Sequence, residues 1–512
     1  MKQQSAWSKP PEGQERAYVL GSLIVTGAGA LIVELVGARV LSPYYGSSIY
    51  CWSAQITVTL ISLAAGYHLG GRWADRGASL TLFARLITWS AAGAALVPVM
   101  RAPVLSATTG LGVELGALTS ALALFAPSLV LLGAVGPVAV KLQTQGLASV
   151  GRGAGDVYSI STVGSVLGAM LAGFALIPHF PISKILYGLA TVLLALGALG
   201  SWLSRQKLPL PQLAAAMAVA LYGFWPRVVE PTNMLVNRDS AYGQIKVLDF
   251  GDKRYLLVNG TTQSLAELPA LETDSQYSHS LEWAALQRPA AKTALVIGIG
   301  AGLLPKALEK HYGLEVDSVD IDPAIVETAR DYFGFHPKGR VAIQDGRLFV
   351  RDALKPYDLV FVDAFGTETP PYHLFTVEAF HAIGGAMAPN GLLAVNLVSK
   401  VHGDDAPWLS AARTLRAVFP NVRVFLASET YEDLGNVLFF CSNAPIESAA
   451  PAAPRSEARE HIAAMLKGEL PSEPEKGLLM TDDFAPLESL VAKTALVWRA
   501  TLQKKAAGVL LY

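Results

Sequence analysis

Three glycines and four aspartates carry the chemistry that can be read from this chain. Gly298, Gly300 and Gly302 close an apolar run within ALVIGIGAGLL, residues 294–304, and a helix-compatible stretch, 303–311, follows. Glycines at such a turn let the backbone bend tightly and approach a ligand, while free N–H groups at the helix start face it. The pattern alone also occurs where a loop merely packs tightly. Three further apolar runs strengthen it, because each ends in acid. Residues 316–321 end with Asp320 beside Asp322, 341–343 lead to Gln344, Asp345 and Gly346, and 357–362 lead to Asp363. In successive parallel strands these carboxylates line one rim of a sheet, where α/β folds bind ligands, and an acid after the second strand can grip ribose hydroxyls. A nucleoside-type site is the expectation.

The elements that must position these residues make a soluble α/β domain of Rossmann type, preceded by a small β-region. Residues 240–250 and 254–258 alternate as strands do, with a turn between them, and NGTTQ at 259–263 closes the region. Residues 281–286 read as helical and lead through Pro289 to the glycine strand. After Asp363 comes a Pro-rich loop, TETPPYHLFT, then a helix at 377–388, a turn at Pro389, Asn390 and Gly391, and a strand at 392–397. Residues 444–474, rich in Ala, Pro and Glu, read as a surface excursion or mobile insert.

The first half of the chain has a different composition. Of 512 residues, 52% are hydrophobic and only 16% charged, and the charge is concentrated after Asn237. Before that, apolar segments long enough to cross a bilayer follow one another at 17–40, 48–71, 78–100, 112–141, 157–178, 182–203 and 208–225. A soluble protein does not need so many, and a cleaved leader does not continue so far. The fold expected is a polytopic α-helical membrane domain, of seven or eight helices, joined to the soluble α/β domain. Domain limits are 1–228 for the helices, 229–442 for the β-region and Rossmann domain, 443–476 for the insert and 477–512 for the C-terminal segment. Cys51 and Cys441 are too few and too isolated for a disulfide framework or a metal site.

Small residues crowd the helices, notably at 27–30, at 66–71 and at Gly164 and Gly168, a spacing that allows close helix contact. Glu34, Arg39, His68 and Glu114 are the ionisable residues at or near membrane depth, and charges there are often functional. GGRWADRG, residues 70–77, resembles the cytoplasmic loop between the second and third helices of major facilitator transporters. Basic residues such as Arg16, Arg72, Arg76, Lys141 and Arg152 fall on the amino-terminal side, which places the N-terminus in the cytoplasm. Seven crossings put the C-terminal domain outside. An eighth, with residues 103–141 crossing twice, returns it to the cytoplasm, where its substrate is made and where we expect it.

The soluble half resembles spermidine synthase, and the whole chain resembles membrane proteins that fuse a transporter-like helical domain to a spermidine-synthase-like one. The soluble motifs are SAYGQIKV, LLVNGTTQ, VIGIGAG, VDID, QDGRLF, VDAF and TDDFAPLE; in the membrane half, LIVELVGARVLSPYYGSSIYCW and STVGSVLGAMLAGF match. The resemblance implies decarboxylated S-adenosylmethionine, or S-adenosylmethionine, as co-substrate, with no prosthetic group. It implies Gln244 and Gln263 lining that site, Asp320 on the ribose, Asp345 with Gly346 at the adenine, and Tyr277 near the aminopropyl group. Asp363 then corresponds to the acid that takes a proton from the attacking amine. An ammonium cannot attack carbon, so a carboxylate must hold and deprotonate it.

Departures fall at the acceptor end. Ala301 stands where the family has an aspartate, Gly366 replaces the second acid of its Asp-Ser-Ser-Asp motif, and His279 stands near a lost glutamate. A diamine there would leave an ammonium poorly paired. Asp482 and Asp483 could restore the charge if the tail folds back over the site, or could cap a helix with Thr481. The expected activity is release of methylthioadenosine, by transfer to a non-standard amine or by attack of the aminopropyl group's own amine. A transporter or sensor regulated by nucleoside binding is the alternative. An ordinary methyltransferase fits the β-region and VDAF less well. Small molecules and lipid are the expected partners, without nucleic acid and with a homodimer allowed, in a bacterial inner membrane.

Overall fold

The computed structural model describes residues 11–45, 49–144, 149–205, 210–224, 233–366, 369–401, 406–431, 434–448, 453–471 and 474–491. The chain divides into two compact units, Met1–Val229 and Glu230–Tyr512.

The first unit is helical: α1 (Gln14–Tyr45), α2 (Ile49–Gly77), α3 (Leu80–Thr108), α4 (Gly112–Gln143), α5 (Val150–Leu171), α6 (Ile177–His179), α7 (Ile182–Arg205) and α8 (Leu210–Phe224). A π turn, Ala172–Leu176, joins α5 to α6. Among the described residues, five apolar stretches are long enough to cross a membrane: Gln14–Tyr45, Ile49–Gly77, Leu80–Gln143, Val150–His179 and Ile182–Ser204. The third holds two helices, α3 and α4, which turn through Thr109–Leu111 and pack on each other. Residues 103–141 therefore do not cross twice, since α4 runs unbroken through Pro127. The 15 described residues of α8 rise about 22 Å against a ~30 Å hydrocarbon layer, and the ends of the crossing expected at 208–225 lie outside the described residues. Small residues set the helix contacts. A Cβ on Gly66 would lie 2.3 Å from the Val130 carbonyl oxygen on α4, and one on Gly164 would lie 2.2 Å from that of Ile24 on α1.

In the second unit, β1 (Met234–Asp239), β2 (Gln244–Phe250), β3 (Lys253–Val258), β4 (Thr261–Glu267) and β5 (Glu272–Thr273) form an antiparallel sheet in chain order. Two short helices follow, α9 (Gln276–Leu281) and α10 (Trp283–Gln287). Strands and helices then alternate: β6 (Thr293–Ile297), α11 (Leu303–Tyr312), β7 (Glu315–Asp320), α12 (Pro323–Phe333), β8 (Val341–Ile343), α13 (Gly346–Arg351), β9 (Tyr357–Val362), α14 (Val377–Gly385), β10 (Met387–Lys400) and α15 (Ala406–Arg416). Two more strands, β11 (Asn421–Tyr431) and β12 (Leu434–Ser442), and helix α16 (Ser456–Lys467) complete it.

The larger sheet has the order β11-β12-β10-β9-β6-β7-β8. Strands β10 to β8 run parallel, and β12 is antiparallel to both its neighbours. Succession reverses between β6 and β9, with β7 and β8 added on one side and β10 on the other. That reversal opens a crevice at the C-terminal strand ends. Strand residues alternate between two buried clusters: Leu295, Val360 and Val395 join one, and Ala294, Leu359 and Ala394 the other. Both faces are thus covered by apolar groups, the expected state of a parallel sheet.

Three expectations need correction. The helix at 377–388 stops at Gly385, and β10 begins at Met387, passing the Pro389–Gly391 region with a shift in register before Leu392. Strands β11 and β12 are not among the expected elements. The Ala/Pro-rich stretch is no loose excursion, because α16 lies in it and packs on α9, burying Ala458, Ile462 and Met465. Those three are spaced as one helix face, diluted in sequence by the flanking Ala and Pro.

Candidate active site

The crevice between β6 and β9 gathers the strand-end residues. Gly298 leaves β6 with φ +93°, and a Cβ there would lie 2.3 Å from the carbonyl oxygen of Asp363. Only glycine lets the two strand ends approach so closely. Gly302, at φ +72°, starts α11. Between them the Ala301 N–H donates to Ser264 Oγ of β4 at 3.1 Å, which ties the glycine turn to the smaller sheet.

Asp320 ends β7 and braces the same turn. Its Oδ2 accepts the Ile299 N–H and its Oδ1 the Asp322 N–H, both at 2.9 Å. Burial raises its pKa, and these backbone N–H groups oppose the rise. A carboxylate has about four lone-pair sites, so acceptor capacity remains for a ligand's hydroxyls. Asp322 is a helix cap, accepting from Ala324 N at 2.9 Å and from Ser240 Oγ at 2.6 Å. Asp345 caps α13, its Oδ1 accepting from Arg347 N and Leu348 N, and its Oδ2 meets His373 Nε2 at 2.8 Å. Gly346 follows without space for a side chain, because a Cβ would lie 2.4 Å from Ile297 Cγ2.

Asp363, at the end of β9, is half-buried. Asn396 Nδ2 donates to its Oδ1 at 2.8 Å and the Tyr277 hydroxyl to its Oδ2 at 3.4 Å. Burial pushes its pKa up to about 6 against the lowering effect of those two donors. At neutral pH the group is ionised yet more basic than an ordinary carboxylate, as suits a proton acceptor. Tyr277 is held well above its usual pKa by burial and by Asp363, so it remains a phenol.

The remaining expected residues divide. Gln244 starts β2 and Gln263 lies in β4, on the smaller sheet that also supplies Ser264. His279 is not turned to Asp363. It is buried, with Nδ1 2.8 Å from Arg455 Nη2 and 3.4 Å from Glu282 Oε1, and its ring stacks on His461. Asp482 does fold back, but onto Arg347, which donates to both carboxylate oxygens at 2.7 and 2.6 Å, while Thr376 Oγ1 donates at 2.8 Å. Its charge is taken up beside α13 rather than at Asp363. Asp483 is exposed. Ala301 is fully buried, and a Cβ on Gly366 would meet the Thr369 carbonyl oxygen at 3.6 Å; neither position carries an acid.

Several site residues were not expected. Tyr242 stands near the carboxylate rim, its pKa raised by burial and then by Asp322, Asp320 and Asp345. Its signal is SAYGQ, where it precedes Gln244 by two. Asn396 is the one polar residue of LLAVNLV, and a lone amide inside an apolar strand asks for a buried partner. His373 sits in the Pro-rich loop with nothing in sequence to tie it to Asp345.

Asp320, Asp345 and Asp363, at the C-terminal strand ends, all fall within a stretch that matches a known family. Residues 278–448 match the spermine/spermidine synthase domain, so the second unit contains a spermidine-synthase-type domain. Among relatives, the polyamine aminopropyltransferase of Mycobacterium tuberculosis is 26% identical over 314 residues, 54% of this chain and 58% of that one. A probable polyamine aminopropyl transferase of Bifidobacterium longum is 27% identical over 203 residues, 39% and 44% of the two chains. The N-terminal histidine N-methyltransferase of Emericella nidulans is 34% identical over 175 residues, 32% and 30%. The chain therefore spans between 30% and 58% of the length of these relatives. A solved spermidine synthase from Thermotoga maritima is similar at 23% identity and TM-score 0.39, over 47% of this chain and 85% of that one.

Proposed function

We propose that the second unit cleaves decarboxylated S-adenosylmethionine to methylthioadenosine, passing the aminopropyl group to an amine. The observation that carries this reading is Asp363, a carboxylate with a pKa near 6 at the switch point, oriented by Asn396 and faced by Tyr277. The amine gives its proton to Asp363 and its lone pair to the carbon beside the sulfonium. The carbon–sulfur bond breaks, and its electrons neutralise sulfur as the thioether of methylthioadenosine. Asp320 would hold the ribose and Asp345 the adenine, with Gln244 and Gln263 along the same ligand. Ile321, Ile343 and Leu348, exposed beside those aspartates, offer apolar surface for a purine ring.

The acceptor is not putrescine but another amine, or the aminopropyl group's own terminal nitrogen closing a four-membered ring. Support comes from Ala301 and Gly366, which leave no acid at two positions, and from His279 and Asp482, whose partners lie elsewhere. A charge-assisted contact is worth roughly 1.5–3 kcal/mol, so losing one weakens acceptor binding by about one to two powers of ten. A time course with decarboxylated S-adenosylmethionine, with and without putrescine, tests this. Methylthioadenosine should form at a rate that hardly depends on putrescine. Stoichiometric spermidine that saturates with putrescine defeats the acceptor reading, and no methylthioadenosine under any condition defeats the enzyme reading.

The apolar helices of the first unit support a membrane location for the enzyme. Six long helices, α1 to α5 and α7, return the chain to its starting side, and the basic residues put that side in the cytoplasm. The second unit then faces the cytosolic supply of substrate. Reporter fusions after Lys207 and Trp225 check the count; a periplasmic signal at Trp225 rules out this placement.

A further inference from the structure

A cavity of about 240 Å³ lies between β5, helix α11 and the loop that carries Lys338, with Arg455 on one wall. None of its lining residues was assigned above to substrate. Its walls are rich in cations: Lys306, Lys310, Lys338 and Arg455 against Glu272 and Glu309. Glu272 is already shared between Lys310 and Arg455, and Glu282 behind the wall takes a second contact from Arg455 at 2.6 Å. Glu309 accepts the backbone N–H of Lys338 at 2.8 Å. Four cations thus meet three carboxylates. His311 adds no charge at neutral pH, because burial and Arg455 lower its pKa.

The surplus falls on two ammonium groups. Lys306 is half-buried, and its Nζ donates to the carbonyls of Leu271 at 2.8 Å and Phe333 at 2.9 Å, leaving one donor of three. Phe333 is the last residue of α12, so the helix dipole offsets part of the cost, but no carboxylate pairs with Lys306 among the described residues. Lys338 is exposed at the rim, and its side chain has no partner among the described residues. A space smaller than the ~300 Å³ of ordinary ligand pockets suits a phosphate group with a few waters better than a whole nucleotide.

We infer that this cavity binds a compact phosphate-class anion through Lys306 and Lys338, either free phosphate or the phosphate of a lipid headgroup. The full-length protein in phosphatidylcholine nanodiscs, titrated with inorganic phosphate by calorimetry, should show one saturable site per chain. Lys306→Met and Lys338→Met should each weaken it about tenfold or more. The exposed Lys338 side chain has no hydrogen-bond or ion-pair partner among the described residues, so its variant should keep the fold even if the Lys306 variant does not. Nanodiscs containing phosphatidic acid separate the sources. Loss of the phosphate heat there identifies the headgroup as occupant, and an unchanged heat identifies free phosphate. Absence of saturable binding, or binding that Lys338→Met leaves intact, overturns the site. No sulfonium substrate is present in these titrations, so the result is independent of the proposed activity.

Discussion

Asn396 Nδ2 donates to Asp363 Oδ1 at 2.8 Å, while the same side chain's Oδ1 accepts from Asn436 Nδ2 at 3.0 Å. This chain of amides fixes the carboxylate and leaves its other oxygen to Tyr277 and to substrate. Asn396 also lowers the Asp363 pKa against the effect of burial. Asn396→Leu should therefore move the acid limb of methylthioadenosine release upward from about pH 6, by on the order of one unit. Rates from pH 5 to 9 read this directly, and a limb that does not move removes Asn396 from the control of the base.

Asp363→Asn should lower turnover by roughly 10²–10⁴, the usual worth of a general base, and leave methylthioadenosine binding largely intact. The same substitution has a stability signature. The folded pKa near 6 lies above the ordinary 3.8, so the folded state holds the proton longer and stability falls as pH rises from about 4 to 6. Asp363→Asn removes that loss, and the unliganded protein should gain on the order of 3 kcal/mol at pH 7. Thermal unfolding at pH 4 and pH 7 would show the gain only at the higher pH.

Asp345→Ala should weaken methylthioadenosine binding, but it also removes the cap that accepts Arg347 N and Leu348 N, worth about 1 kcal/mol. Asp345→Ser can keep the cap and lose the charge. Calorimetry on both variants separates the two roles, and equal affinity in wild type and Asp345→Ser takes the carboxylate out of adenine recognition.

Arg455→Met should destabilise the protein by about 3–5 kcal/mol, because Glu282, wholly buried, loses its cation. Adding Glu282→Gln should recover much of that loss. Failure of the double variant to recover would mean that packing of the arginine stem, rather than its charge, holds this region.

The fold was legible where local pattern decides it. Apolar runs ending in Gly298, Asp320, Asp345 and Asp363 are short, regular and separated by helical periods, so the parallel strands and their carboxylate rim follow from spacing alone. What was not legible depends on contacts across long separations. Arg455 meets His279 across 176 residues and Asp482 meets Arg347 across 135, and no periodicity reports either pairing. His279 therefore reads in sequence as a substitute for a lost acid, whereas a distant arginine has drawn it into a buried network.

The family match ends at residue 448, yet the folded unit does not. Arg455 and α16 come after that limit and brace α9, the helix that carries Tyr277 to Asp363. An expression clone ended at residue 448 would keep every strand-end carboxylate and still strand Glu282 as a naked charge in the interior. Such a fragment should aggregate or lose the position of Tyr277, and its silence in an assay would say nothing about the full chain.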